Sequence, residues 1–111
     1  MADAQRAFTG GACGLTVAAM LALPVQAEVD DARAQELKHL LVQECGSCHG
    51  LTMRGGLGPA LTPEALADET DSRLEAVILH GVPGTPMPGW SWKLSEDEAA
   101  WLVELLREGV K

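Results

Sequence analysis

Leucines stand at Leu37, Leu40 and Leu41 among charged and polar neighbours, a spacing that puts them along one face of a helix. Asp30-Asp31 precedes them as a cap, and the pattern predicts a helix from there to about Glu44. Leu74, Val77 and Ile78 repeat the periodicity, with Asp71 or Ser72 as cap and Gly81 as the stop. Trp101, Leu102, Leu105 and Leu106 form the buried face of a last helix. Ser95 and Glu98 open it with the spacing of a capping box, and Gly109 closes it. Thr62-Pro63-Glu64 reads as N-cap, first-position proline and acidic first turn of a short helix ending near Asp68. No segment has the β-branched alternation of a strand. The expected fold class is all-α.

Two glycine- and proline-rich loops, residues 50–63 and 81–94, separate these helices. They are more tightly specified than connectors need to be, and such loops are where a bound group is held. Ahead of the helices, an apolar run from about Gly11 to Leu23 follows Arg6 and ends at Pro24. Val25-Gln26-Ala27 then places small residues where a signal peptidase reads them. Residues 1–27 are therefore expected to be a secretory leader cut before Glu28, with residues 28–111 the mature domain and the periplasm its destination. The run is short for a spanning helix, which needs roughly 20 apolar residues; an uncleaved anchor is the alternative. Cys13 lies inside the run and leaves with it.

The chain has 111 residues and a formal net charge of −8 at pH 7. Asp3 and Arg6 balance within the leader, so cleavage leaves that charge unchanged. An acidic exported domain is repelled by nucleic acid and anionic lipid, and suits a partner with a basic docking face. No feature calls for more than a monomer. Phe8 also departs with the leader and there is no Tyr, so aromatic packing rests on Trp90, Trp92 and Trp101. A domain this small usually recruits a disulfide, a metal or a cofactor to complete its core.

Cys45-Gly46-Ser47-Cys48-His49 offers three chemistries. A redox dithiol belongs at a helix start beside a sheet, where the helix dipole lowers one thiol pKa; this pair closes a helix. A zinc site needs four ligands, and only His39, His49 and His80 remain to complete one. Covalent haem uses every residue: two thiols each add to one vinyl group, and the adjacent histidine falls beneath the iron. It also leaves no orphan cysteine after the leader is gone.

Met53 and Met87 are the thioethers available for the sixth iron position. Met53 is too close to His49 to reach the opposite face. Met87 lies in "GTPMPGW", between Pro86 and Pro88, which fix its backbone; plain packing is the competing role. The Pro59 carbonyl is placed to accept the Nδ1 proton of His49 and so set its tautomer, against an ordinary role as a loop proline. Arg54 is the nearest cation for a propionate. His80 suits a helix C-terminus, and His39 an exposed helix face.

With these residues in place the chain resembles a class I cytochrome c over residues 31–109. Cys45, Cys48 and His49, Pro59 in the "GP.L" element and Met87 in "TPMPGW" carry the likeness. The stretches "CHGLTMRGGLGPALTPEAL" and "PGTPMPGWSWKLSEDEA" are similar to the small cytochrome c-55X type, associated with cytochrome cd1 nitrite reductase and denitrification. The resemblance implies a small class I fold around one covalent haem c, His49 and Met87 on its iron, and single-electron transfer to that reductase. An accessory role in d1 haem biogenesis or delivery is a second implication. A haem enzyme or gas binder with a labile sixth ligand is the third; with both axial positions filled, a carrier rather than an enzyme is expected. Leu37, Leu41 and Leu105 stand where many family members carry small or aromatic residues, so the helix crossing is expected to pack differently, with Trp101 compensating.

Overall fold

The protein is described by a computed structural model covering residues 10–11 and 28–111. Apart from residues 10–11, the expected leader, including Cys13 and the Ala27 side of its cleavage point, lies outside the described residues. Among the described residues the regular structure is entirely helical: α1 (Asp31–Leu40), a π-helical segment Leu41–Cys45, α2 (Gly46–His49), α3 (Asp71–His80) and α4 (Glu96–Glu108). None of these helices is long and apolar enough to cross a membrane.

The Asp30 side chain caps α1, accepting from the Arg33 N–H at 2.8 Å. The helical path does not end near Glu44. It widens at Leu41–Cys45 and continues to His49. In an unbroken α-helix, at about 100° per residue, His49 would point about 120° away from Leu37. A wider i→i+5 turn adds less rotation per residue and takes up part of that difference. Leu37, Leu41 and His49 are all buried.

Two further boundaries differ from the sequence expectation. Thr70, not Asp71 or Ser72, caps α3; its backbone is extended and its hydroxyl accepts from the Arg73 N–H at 3.3 Å. Residues 62–68 form consecutive turns rather than a helix. The Thr62 cap is made, since its Oγ1 accepts from the Ala65 N–H at 3.3 Å, and one helical bond forms from the Leu66 N–H to the Thr62 carbonyl at 3.0 Å. Later bonds tighten to three-residue spacing, from Ala67 to Glu64 and from Glu69 to Leu66. Asp68 and Glu69 sit where a helix C-terminus disfavours negative charge. Arg107 of α4 takes the segment's carbonyls instead, donating to Leu66 O at 3.1 Å and Glu69 O at 2.6 Å, while its Nε reaches Asp71 at 2.5 Å.

In α4 both halves of the capping box form, with Ser95 Oγ accepting from the Glu98 N–H and Glu98 Oε2 accepting from the Ser95 N–H. Leu37, Leu40 and Leu41 join Met53, Leu66, Leu79, Leu94, Ala99, Leu102 and Leu106 in one core, with Trp101 and Leu105 half-buried against it.

Arg33 ties the start of α1 to the start of α4. Its Nε donates to Glu98 Oε1 at 2.6 Å and its Nη1 to Glu36 at 2.7 Å. The Arg33 bond, helped by the Ser95 N–H, holds the Glu98 carboxyl below its ordinary pKa against a smaller opposing cost of burial. A carboxylate whose pKa is lowered by folding stabilises the fold above its unfolded pKa of about 4.3 and loses that stabilisation as pH falls through the folded value. Wild-type protein should therefore lose melting temperature more steeply than Glu98→Gln as pH drops below about 4.3. Parallel melting curves for the two proteins down to pH 3 would exclude the linkage.

Candidate functional site

Cys45, Cys48 and His49 occupy the end of the helical path that begins at Asp31, with Cys45 half-buried, Cys48 exposed and His49 buried. Both thiols are free. Burial, with Glu44 adding to it, pushes the Cys45 thiol up to about 11. A redox nucleophile needs the opposite environment, one that favours the thiolate. Among the described residues no three His, Cys, Asp or Glu side chains converge as a metal site. A protonated Cys45 thiol one turn from the exposed Cys48 suits addition to an unsaturated group.

His49 Nδ1 lies 2.7 Å from the Pro59 carbonyl. A carbonyl only accepts, so Nδ1 carries the proton, and in the neutral ring the lone pair sits on Nε2. The loop that supplies Pro59 is strapped to the same helix end. Gly55 N–H donates to His49 O at 2.7 Å, Gly58 N–H to Cys48 O at 2.8 Å and Leu61 N–H to Met53 O at 2.8 Å. Gly58 is pressed against the imidazole, and a Cβ there would stand 2.9 Å from Nδ1 and Cε1. Only a residue without a side chain allows that approach. Met53, with its N–H on Gly50 O at 2.9 Å, is 1% exposed and belongs to the core.

Met87 stands half-buried on the other loop. That loop folds back onto the end of α3: Trp90 N–H donates to Ile78 O at 2.9 Å and Ser91 N–H to Leu79 O at 3.1 Å. Gly81 and Gly89 make the closure possible. A Cβ on Gly81, whose φ is +72°, would lie 2.6 Å from the Met87 carbonyl, and one on Gly89 would lie 2.7 Å from Leu79 O. Glycine richness was the visible signal in these loops, but which glycines are pressed on which atoms is read only from the structure.

The structure thus clusters Cys45, Cys48, His49 and Pro59 and places Met87 on a separate, internally braced loop. His39, His80 and Arg54 are exposed. Among the described residues, the large apolar side chains left exposed are Leu51, Leu57, Val82 and Trp92, all on the two loops, with Trp92 stacked on Trp90 at 5.9 Å. A protonated Nδ1, an Nε2 left for a ligand, two thiols one turn apart and bare apolar loops fit a covalently held haem.

The domain family described as cytochrome c oxidase, cbb3-type, subunit III matches residues 32–106. Cytochrome c55X of Pseudomonas aeruginosa is 54% identical over 99 residues, covering 86% of this chain and 83% of that protein. A solved c-type cytochrome NirC has a TM-score of 0.70 at 57% identity, covering 71% of this chain and 93% of that one. Dihydro-heme d1 dehydrogenase NirN, solved in complex with DHE, has a TM-score of 0.61 at 38% identity, covering 66% of this chain and 16% of that one.

Proposed function

Because the chain belongs to the c-type cytochrome family described as cytochrome c oxidase, cbb3-type, subunit III, whose haem c is covalent, we propose that it is a periplasmic carrier of single electrons to a cd1-type nitrite reductase. Residues 1–27 act as the leader that exports it, and residues 28–111 as the haem domain. Bound haem c supplies one-electron exchange between ferric and ferrous iron. Cys45 and Cys48 would hold it through thioethers formed by adding each thiol across one vinyl group. His49 would offer Nε2 to the iron, oriented by the Nδ1 bond to Pro59 O. Met87 would offer its thioether to the iron, which would raise the potential relative to a nitrogen donor. Two braced loops keep water out and the ligand set fixed, so little has to move when the charge changes. With both positions filled there is no open iron site for a substrate, which favours a carrier over an enzyme or gas binder.

The observation that carries this reading is the 2.7 Å contact between His49 Nδ1 and the Pro59 carbonyl beside two free cysteines. Absorption spectra of oxidised and reduced protein matured with c-type machinery test it: a low-spin haem c spectrum supports it, and a chain that matures without haem refutes it.

The partner reading rests on charge and on the names of the relatives. The net charge of −8 favours a basic docking face. Glu64 and Asp68 are exposed carboxylates just past the 50–63 loop and are candidates for steering, whereas Glu69 pairs with Arg73 at 3.3 Å. Steering of this kind raises association rates by roughly 10- to 1,000-fold and fades as the Debye length falls from about 10 Å at 0.1 M salt to about 3 Å at 1 M. Stopped-flow oxidation of the reduced protein by a cd1-type nitrite reductase should therefore slow steadily with salt. A rate that is flat or rises with salt would remove the steering claim.

The likeness to dihydro-heme d1 dehydrogenase NirN favours a second reading, a role in d1 haem assembly or delivery. Absence of electron transfer to the reductase, with normal haem spectra, would favour it.

A further inference from the structure

Three prolines, Pro83, Pro86 and Pro88, leave the loop around Met87 short of backbone donors. Three of the donors that remain are used within the turn. Val82 N–H donates to Met87 O at 3.2 Å, and Thr85 N–H donates to Val82 O at 3.2 Å. The Met87 N–H has no backbone acceptor in this ring; it donates to the Thr85 hydroxyl at 3.3 Å. That same hydroxyl donates to Val82 O at 2.7 Å. Thr85 Oγ1 therefore links the two ends of the turn, giving its proton to one and accepting from the other.

We propose that Thr85 is a positioning residue for Met87: its hydroxyl closes the turn and holds the methionine backbone in the conformation that presents the thioether. This rests on the reading of Met87 as the distal haem ligand. Removing the hydroxyl leaves the Val82–Met87 bond in place but frees the methionine N–H, so the ligand leaves the iron more often while the rest of the fold is untouched. Thr85 is exposed and outside the core, so its replacement need not disturb folding.

The test compares Thr85→Val, which keeps the shape without the hydroxyl, Thr85→Ser, which restores the hydroxyl, and Met87→Ala, all as ferric holoprotein. Imidazole is the probe, its binding followed by stopped flow, with the near-infrared sulfur-to-iron band recorded in parallel. Thr85→Val should bind imidazole roughly two- to tenfold faster than wild type, the weight of the one hydrogen bond it loses to the Met87 N–H, and show a weakened band at an unchanged melting temperature. Thr85→Ser should match wild type. If Thr85→Val tracks wild type, or Thr85→Ser behaves like Thr85→Val, while Met87→Ala differs from both, the Thr85 role is wrong and Met87 ligation stands. If Met87→Ala binds imidazole no faster than wild type, Met87 ligation is wrong and the Thr85 role falls with it.

Discussion

Met87→Ala is expected to abolish the near-infrared sulfur-to-iron band near neutral pH, lower the reduction potential and open the iron to carbon monoxide and cyanide. On the proposed ligation the thioether would be a soft donor favouring ferrous iron, so its loss would favour the ferric state and free a coordination site. Met53→Ala should do none of this. Met53 is buried in the core at 1% exposure, and its backbone is bonded on both sides, to Gly50 and to Leu61. Its side chain cannot swing out to a distal face. Truncating a buried methionine leaves a cavity and should cost about 3 kcal/mol of stability instead. Absorption spectra, redox titration and denaturant unfolding of both variants separate the two outcomes. If the two variants have the same spectrum, the ligand assignment is wrong.

Replacing both Cys45 and Cys48 by serine is expected to turn a haem that survives acid–acetone extraction into one that is fully lost. Each thioether is a covalent bond that denaturation cannot break, and residues 28–111 hold no further cysteine. The single variants should keep their haem through one remaining bond. Wild-type holoprotein should show no titratable thiol after unfolding. The double variant should also lose cooperative melting once its haem is extracted, because a domain of this size draws much of its buried apolar surface from the prosthetic group. Extraction with a thiol assay reads all of this, and wild-type haem recovered in the acetone phase would overturn the covalent assignment.

Much of the fold was legible along the chain because its signals are local. The capping box at Ser95 and Glu98, the stops at Gly81 and Gly109 and the leucine spacing of α1 each depend on residues within a turn or two of one another. Such preferences survive whatever the rest of the chain does. The Thr62–Asp68 helix was misread for the complementary reason. Its start signal is local and is made, but its continuation is decided by Arg107, distant in sequence, which takes the Leu66 and Glu69 carbonyls. The α3 cap moved to Thr70 because several adjacent residues could each serve, and the approach of the preceding turns decides among them.

The sequence alone determined which chemical groups this protein carries and in what order. Two thiols and an imidazole at fixed spacing on one helical stretch, and a methionine between prolines, are set by covalent order, as are the all-α class and the acidic charge. Only the tertiary structure decided how those groups are aimed. The wide turn at Leu41–Cys45 offsets part of the rotation that would carry His49 away from the face of Leu37. Gly58 lets the loop close on the imidazole until Pro59 meets Nδ1. Gly81 and Gly89 let the Met87 loop press on the end of α3, and Thr85 closes its turn. These are contacts between backbones and side chains at distances of a few ångströms, and such contacts depend on how separate segments pack, which no local spacing encodes.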